Sequence, residues 1–400
     1  MELYLFAFRV LFTLCSVFPL RDKFTFVDTF ADNCRFVHEE LRRRDADKRV
    51  VFLHASSRSA SARAAGAVNI RFSARRPWDL VRAVYHVATS RYIIVDNYYA
   101  FLAAARFRPG VECVQLWHAA GALKTFGLCD ESVKERTNRA KRRFRRVYQQ
   151  FHKVVVGSDA MARQFEQAFG LPADRMVRTG VPRTDAFFDS QHRERVVARL
   201  RAENPALAGR RVILYAPTFR DGELGSFRLH LDIAGLQRGL GDGYALILRL
   251  HPAVKNRIAD LSAYRGFAFD YSDYADAGDL LLLADYLVTD YSSMPYEYAL
   301  LGRPMVFYPY DLSTYARKRG LWAEYESMVP GPVVFSTAEI VRVIRENAFD
   351  LERVQQFAAV WNQYSQGQSS QRLLDLLLAE TPSYALPTDM AAGAGIRQPM

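Results

Sequence analysis

Short apolar runs alternate with amphipathic stretches along most of this chain, and they do so in two successive series. The first series predicts strands at residues 23–27, 50–54, 68–72, 92–95, 113–117 and 154–156, and the second predicts strands at 212–215, 245–250, 286–289 and 305–308. Short strands that alternate with helices are typical of βαβ units and parallel sheets. The pattern therefore predicts an α/β protein with two Rossmann-like domains that face a cleft.

Residues 1–20 are mostly apolar, and Glu2 and Arg9 are the only charged residues among them. They lack the basic start and the small-residue cleavage site of a signal peptide, and Arg9 interrupts the apolar run that a spanning helix needs. We expect an N-terminal hydrophobic helix that lies at a membrane interface or packs on the adjoining domain. The remaining chain is predicted to divide into domains at 21–185 and 186–345, helices at 346–380 and a disordered, Pro- and Ala-rich tail at 381–400.

The 54 Lys and Arg residues outnumber the 43 Asp and Glu residues, which gives a formal net charge of +11. This excess favours anionic partners: phosphate-rich substrates, an anionic membrane surface or nucleic acid. Nine basic residues fall within residues 134–153, where Glu135 is the only acid. This stretch is predicted to be a solvated basic helix or a contact for anionic lipid or polyphosphate. No nucleic-acid-binding module surrounds it, so we expect no nucleic-acid partner.

Metal and cofactor motifs are missing from the sequence. The four cysteines form no cluster with zinc-ligand spacing, which favours free thiols in a reducing compartment. The acids at 270, 273, 276 and 279 match no calcium loop, and no phosphate-binding P-loop motif occurs. We therefore expect no metal site and no tightly bound cofactor.

The first candidate site follows the predicted strand at 113–117. His118 comes at the carboxyl end of this strand, where ligands of such sheets bind. Its ordinary pKa of about 6.5 suits a general base. Gly121 and its small neighbours would let the backbone approach a ligand, and Lys124 supplies a positive charge.

A second cationic cluster follows the strand at 245–250. Arg249, His251 and Lys255 lie within seven residues, and Pro252 restricts the loop between them. Their charge and donor geometry suit a phosphate group, whereas the competing interpretation is a solvated basic loop.

Hydroxyl and acidic groups follow two further strands. Ser292 and Ser293 precede a predicted helix, whose free N–H groups would favour an anion, and Glu297 lies one turn later, where it could hold ribose hydroxyls. Thr218 and Arg220 follow the strand at 212–215 and are predicted to point into the same cleft. A plain helix cap is the alternative for the two serines.

These segments, taken in order, resemble the CDP-glycerol glycerophosphotransferase family, whose members build teichoic acids and related capsular polymers. The resemblance rests on QLWHAAGALKTFG (115–127), YAPTFRD (215–221), RLHP (249–252) and DYSSMPYEYALLGRP (290–304), and it extends over residues 23–335. It implies a GT-B-like fold, often with a membrane-associating N-terminal segment. The family's two essential histidines would correspond to His118 and His251, and its phosphate-binding serines to Ser292 and Ser293. Ala119 stands where many members have Gly, and Glu297 where many have Asp.

The resemblance implies transfer of glycerol phosphate or ribitol phosphate from CDP-glycerol or CDP-ribitol to a hydroxyl acceptor, with release of CMP. The acceptor would be a polyol phosphate or lipid-linked, and the enzyme would act at the cytoplasmic face of an anionic membrane, bound peripherally. Residues 21–185 would take the acceptor, through Gly121 and Lys124, and residues 186–345 the CDP donor, with Lys255 on the acceptor phosphate.

Donor-binding residues are predicted to be Thr218, Arg220, Arg249, Ser292, Ser293 and Glu297. Two alternatives remain: a GT-B glycosyltransferase that uses a nucleotide sugar, and a membrane-surface protein that binds polyanions without catalysis. The second alternative gives no reason for histidines at the ends of two predicted strands.

Overall fold

The computed structural model describes residues 1–30, 32–45, 48–61, 63–220, 228–251, 254 and 260–379. Its first sheet has seven strands, all paired in parallel, in the order β3-β2-β1-β4-β5-β6-β7. The strands are β1 (Arg21–Asp28), β2 (Arg49–His54), β3 (Val68–Arg71), β4 (Ser90–Val95), β5 (Glu112–Gln115), β6 (Lys153–Val155) and β7 (Met176–Val177).

The second sheet has five parallel strands in the order β10-β9-β8-β11-β12. They are β8 (Arg211–Ala216), β9 (Tyr244–Leu248), β10 (Ala268–Asp270), β11 (Tyr286–Thr289) and β12 (Met305–Phe307). The two parallel sheets confirm the predicted α/β class, and all ten predicted strands are present. Strands β7 and β10 were not predicted, because edge strands of two or three residues leave no apolar run to recognise.

Helices connect these strands and cover both sheets. They are α1 (Glu2–Cys15), α2 (Asp32–Arg43), α3 (Ser57–Ser61), α4 (Pro77–Ala88), α5 (Asn138–Tyr148), α6 (Asp159–Phe169), α7 (Ser190–Glu203), α8 (Ile233–Leu240), α9 (Ala277–Leu283), α10 (Met294–Tyr298), α11 (Leu312–Arg319), α12 (Tyr325–Met328), α13 (Thr337–Arg345), α14 (Leu351–Trp361) and α15 (Ser369–Ala379). Local sequence sets several helix starts: Ser336 and Glu339, for example, form a complete capping box at α13.

Each sheet reverses its strand order once, and these reversals locate the functional cleft. The order changes between β1 and β4 in the first sheet and between β8 and β11 in the second. In open α/β sheets, ligands bind outside the carboxyl ends of the strands at such points. We therefore expect the loops after these four strands to line the ligand-binding cleft.

Helix α1 carries apolar residues on two faces. Phe8 and Phe12 are buried, and their rings lie 5.0 Å from Phe101 and 6.0 Å from Phe107. The opposite face exposes the apolar side chains of residues 3, 6, 10 and 14. Within the described part of the chain, every helix is too short or too polar to cross a bilayer.

The C-terminal helices return to the first sheet. Leu373, Leu374 and Leu377 of α15 are buried in one cluster with Phe24 and other side chains of the first sheet. The Tyr92 hydroxyl in β4 donates to the Leu377 carbonyl at 3.1 Å. The chain thus completes the first domain with residues that follow the second, and the predicted tail at 381–400 lies outside the described residues.

Candidate active site

A cavity of about 510 Å³ lies between the carboxyl ends of the two sheets. The first sheet contributes the loops after β1 and β5, and the second contributes the loops after β8, β9 and β11. Six of the predicted site residues after β5, β8, β9 and β11 line this cavity, and Glu297 in α10 lines it as well. The six are His118, Thr218, Arg249, His251, Ser292 and Ser293.

His118 is positioned by an unusual turn at the end of β5. Trp117 adopts a φ of 57°, a left-handed conformation that bulky residues rarely take. The Gln115 side chain accepts a hydrogen bond from the Trp117 backbone N–H at 2.8 Å, and the Asn33 side chain donates to the Trp117 carbonyl at 3.0 Å. Because both backbone polar groups of Trp117 are held, the strained turn persists and directs His118 into the cavity.

The hydrogen bonding of His118 fixes which ring nitrogen carries the proton. Nδ1 lies 3.1 Å from the backbone carbonyl of Asp96, which can only accept, so Nδ1 carries the hydrogen and Nε2 keeps a lone pair. Burial lowers the pKa of His118 to about 4, and the charges of Arg183 and Lys124 act in the same direction. The imidazole is therefore neutral near pH 7, in the form that accepts a proton.

The opposite wall of the cavity is cationic. Arg249 is buried, and its Nη1 donates to the carbonyls of Tyr271 at 3.2 Å and Tyr274 at 2.7 Å, which fix the guanidinium. His251 is exposed, with its ring 4.4 Å from the ring of Phe219. A fixed guanidinium and an accessible imidazole on one wall provide donors for a phosphate.

Three hydroxyl groups complete this wall. The Thr218 backbone N–H donates to Asp290 Oδ1 at 2.8 Å, while the buried Thr218 Oγ1 has no hydrogen-bond partner among the described residues. Ser292 Oγ accepts from the Met294 N–H at 3.2 Å, and both serines precede α10, as predicted. Because buried polar groups normally find partners, the Thr218 hydroxyl points to a ligand contact.

Arg220 does not line the cavity. Its guanidinium donates to Asp311 at 2.8 Å and to Asp290 at 3.0 Å, and it lies over the rings of Tyr291, Tyr310 and Tyr315. These contacts are internal, so the structure assigns Arg220 to holding Asp290, the partner of Thr218. Its predicted direct contact with the donor stays a prediction.

Gly121 and Lys124, two of the three residues predicted for the acceptor, also lie outside the cavity lining. A Cβ on Gly121 would come within 2.2 Å of the Tyr296 ring in α10, so this glycine allows the two domains to pack closely. Lys124 pairs through its backbone with Leu321 of the second domain. Lys255 lies outside the described residues.

Glu297 is buried against Arg183, a residue that no sequence motif singled out. Arg183 Nε donates to Glu297 Oε1 at 2.9 Å, and Nη2 contacts the same oxygen. Arg183 Nη1 also lies 3.4 Å from Asp32 of α2, so the guanidinium bridges the two domains. No sequence signal could have paired residues 114 positions apart. The expectation that Glu297 holds ribose does not account for this ion pair.

Potential metal ligands do not cluster among the described residues. Among the residues that the structure describes, no group of three or more His, Cys, Asp or Glu side chains could hold a metal ion. The groups that line the cavity can supply proton transfer at His118 and charge stabilisation by Arg249, His251 and the hydroxyls.

Comparison with known proteins relates this site to a family. A sequence model of CDP-Glycerol:Poly(glycerophosphate) glycerophosphotransferase matches residues 15–379. The teichoic acid glycerol-phosphate primase of Bacillus subtilis (strain 168) is 35% identical over 356 residues, which are 89% of this chain and 91% of that protein. The teichoic acid poly(ribitol-phosphate) polymerase of Bacillus spizizenii is 34% identical over 351 residues, 86% of this chain and 54% of that protein.

A solved structure supports the fold assignment. A variant of the wall teichoic acid polymerase TagF superposes with a TM-score of 0.81 at 22% identity, covering 93% of this chain and 92% of that chain. The architecture is thus GT-B-like, as the sequence resemblance implied. The family model matches nearly the whole chain, and a relative is 35% identical along most of its length. The chain belongs to the CDP-glycerol:poly(glycerophosphate) glycerophosphotransferase family.

Proposed function

We propose that this enzyme transfers a polyol phosphate from a CDP-activated donor to an acceptor hydroxyl, with His118 as the general base. The main support for this proposal is the set of side chains that line the cavity. It brings a neutral, hydrogen-bonded imidazole from one domain opposite a fixed guanidinium and three hydroxyls from the other. Phosphoryl transfer depends mainly on such positioning and charge stabilisation.

In the proposed reaction, His118 Nε2 takes the proton of the acceptor hydroxyl as the oxygen attacks the phosphorus that bears the alcohol. A new phosphodiester forms, the bond from this phosphorus to the bridging oxygen breaks, and CMP leaves with that oxygen. Arg249, His251, Ser292 and Ser293 hold the pyrophosphate and the charge that develops on it. The donor's negative charge opposes the effect of burial on the imidazole, which makes His118 a stronger base in the complex.

The decisive experiment follows CMP release by chromatography. The purified enzyme is incubated with a lipid-linked acceptor and CDP-glycerol, CDP-ribitol or a UDP- or GDP-sugar. We expect turnover with a CDP-polyol only, and faster turnover with CDP-glycerol, because a glycerol-phosphate primase aligns with this chain along most of its length. Release of UDP or GDP instead would establish the glycosyltransferase alternative.

The role of His118 is tested by His118→Ala, with His230→Ala as the control. His230 is exposed and stacks on Tyr310 at 3.9 Å, away from the cavity lining. A general base contributes about 10²–10⁴-fold, so we expect His118→Ala to lose at least that factor in turnover while it still binds CDP. Retention of more than about a tenth of wild-type turnover would exclude His118 as the base.

We also propose that α1 and α5 dock the enzyme peripherally on the anionic cytoplasmic face of a membrane. Leu3 and Phe6, on the outer face of α1, are 81% and 66% exposed. An exposed apolar helix face of this kind often marks a surface that binds a membrane or a protein. Arg139 of α5 forms an ion pair with Glu2 at 2.9 Å, so the basic helix lies beside this face. Apolar side chains flanked by arginines are typical of interfacial helices.

Liposome flotation tests this docking. We expect binding that requires anionic lipid, weakens at high salt and falls in Leu3→Ser/Phe6→Ser, because each basic residue near the surface contributes about 1 kcal/mol. The control Val360→Ser removes an exposed apolar residue of α14 and should bind normally. Binding that ignores both salt and lipid charge would contradict the electrostatic contribution.

A further inference from the structure

A second cavity, of about 400 Å³, adjoins the main one on the side of the first domain. We call it the side cavity. Phe30, Asp32, Arg35 and Asp276 line both cavities. The Phe30 ring lies 4.5 Å from the His118 ring, so the base and the side cavity are separated by a single side chain. A ligand held here would lie next to an acceptor hydroxyl at His118.

The buried wall of the side cavity contains an incompletely paired carboxylate. Asn69 Nδ2 donates to the carbonyls of Ala64 and Ala67, which leaves Asn69 Oδ1 facing His54 Nε2 at 2.8 Å. His54 Nε2 must therefore carry a hydrogen, while His54 Nδ1 lies 2.9 Å from Asp28 Oδ1. Asp28 Oδ1 is thus committed to His54, whereas Asp28 Oδ2 has no hydrogen-bond partner in the described part of the chain.

The imidazoles of His54 and His38 lie in different electrostatic surroundings. Burial lowers the pKa of His54, but the hydrogen bond and charge of Asp28 outweigh that effect and raise it. His38, which lines the same cavity and is 4% exposed, has its pKa lowered by burial and by Arg42. A carboxylate oxygen and a neutral imidazole at a buried wall suit the hydroxyl groups of a polyol.

Four acids and three arginines line the side cavity, and two of these arginines are not used in ion pairs with described residues. Its other acids have cationic partners: Asp276 and Glu39 lie 2.7 and 3.8 Å from Arg35, and Asp32 lies 3.4 Å from Arg183. Arg42 and Arg63 also line the cavity, are exposed, and form no ion pair with any described residue. Two such guanidinium groups beside a polyol-binding wall favour a phosphate.

We propose that the side cavity binds the phosphorylated polyol of the acceptor, with its hydroxyls on Asp28 and His38 and its phosphate on Arg42 and Arg63. This inference rests on the proposed function, because it places the acceptor unit beside His118. The subsite selects an acceptor that carries a phosphate next to the reacting alcohol. It is separate from the donor wall, which Arg249 and the serines form.

Equilibrium titration of the full-length enzyme tests the subsite without turnover. The probes are sn-glycerol 3-phosphate, glycerol and inorganic phosphate, each with and without saturating CDP. We expect saturable binding of glycerol 3-phosphate that is tighter than that of either fragment and unchanged by CDP. Arg42→Gln/Arg63→Gln should weaken it at least about tenfold, because two charge-assisted contacts are lost, and should leave CDP affinity within about twofold.

The control is Arg21→Gln/Arg49→Gln, which removes two exposed arginines at the amino ends of β1 and β2. The side cavity lies at the carboxyl ends of these strands, so the control should bind glycerol 3-phosphate normally. The subsite is refuted if the wild type shows no saturable binding up to about 10 mM, if CDP displaces the probe, or if both double variants bind alike. Equal affinity for inorganic phosphate would refute the polyol contacts. Failure of CMP release, measured separately, would refute the proposed function and leave this binding result standing.

Discussion

Removal of the Arg183 charge should destabilise this protein far more than removal of an exposed arginine. The side chains of Arg183 and Glu297 are 15% and 6% exposed, and the guanidinium contacts Glu297 through two nitrogens. When one partner of such a buried pair is removed, the other is left as an uncompensated buried charge, which costs about 3–5 kcal/mol. Arg183→Met keeps most of the side-chain volume and should cost that amount.

Glu297→Gln should cost less, about 1–3 kcal/mol, because Asp32 still lies 3.4 Å from Arg183. The double variant Arg183→Met/Glu297→Gln should lose less free energy of unfolding than the two single variants lose together, since neither charge remains buried alone. The assay is urea unfolding followed by tryptophan fluorescence, in a double-mutant cycle. We expect a coupling energy of at least about 1 kcal/mol.

The matched control is Arg178→Met, whose partner Asp159 lies 2.8 Å away at the surface, with both side chains about two-fifths exposed. Its stability should stay close to that of the wild type. Additivity of the Arg183 and Glu297 changes within about 0.5 kcal/mol, or an Arg183→Met loss no larger than that of the control, would refute the interpretation of this pair as a buried bridge.

Three further predictions concern the cavity. Ser292→Ala/Ser293→Ala should weaken CDP binding at least about tenfold in calorimetric titration with little change in melting temperature, and unchanged affinity would make the serines a plain cap. Thr218→Val should weaken CDP binding without lowering the melting temperature, since the hydroxyl has no partner among the described residues; a loss of stability would mean that it has one. Nitrogen NMR should show His118 as the neutral Nδ1–H form from pH 8 to 5, because burial lowers its pKa to about 4 and protonation begins only as the pH falls further; a midpoint near 6.5 would contradict this.

The strand-end residues could be predicted from the sequence because local pattern and fold act together. An apolar run marks each central strand, and in a parallel sheet the residue after that run lies at the ligand-binding edge. For this reason the sequence predicts a shared cleft for His118, Arg249 and His251, which line one cavity. The hydroxyls Ser292 and Ser293 followed from the same logic.

Contacts between residues that are distant in sequence could not be predicted. The Arg220 guanidinium forms an ion pair with Asp311, which lies 91 positions away. Gly121 packs closely against the Tyr296 ring of the other domain. The left-handed conformation of Trp117 is equally hidden, because aromatic residues seldom adopt it and only the surrounding hydrogen bonds impose it. Pairings between domains depend on tertiary packing, which local periodicity does not encode.

The return of α15 to the first sheet has a consequence for synthesis on the ribosome. Domains usually fold in order as the chain emerges, but the apolar surface that Leu373, Leu374 and Leu377 cover cannot be closed until the second domain has been translated. One apolar face of the first sheet therefore stays exposed in the nascent first domain until α15 has been synthesised. Chaperones can bind to this face, and neighbouring chains can aggregate through it. A recombinant fragment that stops at residue 345 would lack this cover, so we expect it to expose the apolar sheet face and to aggregate.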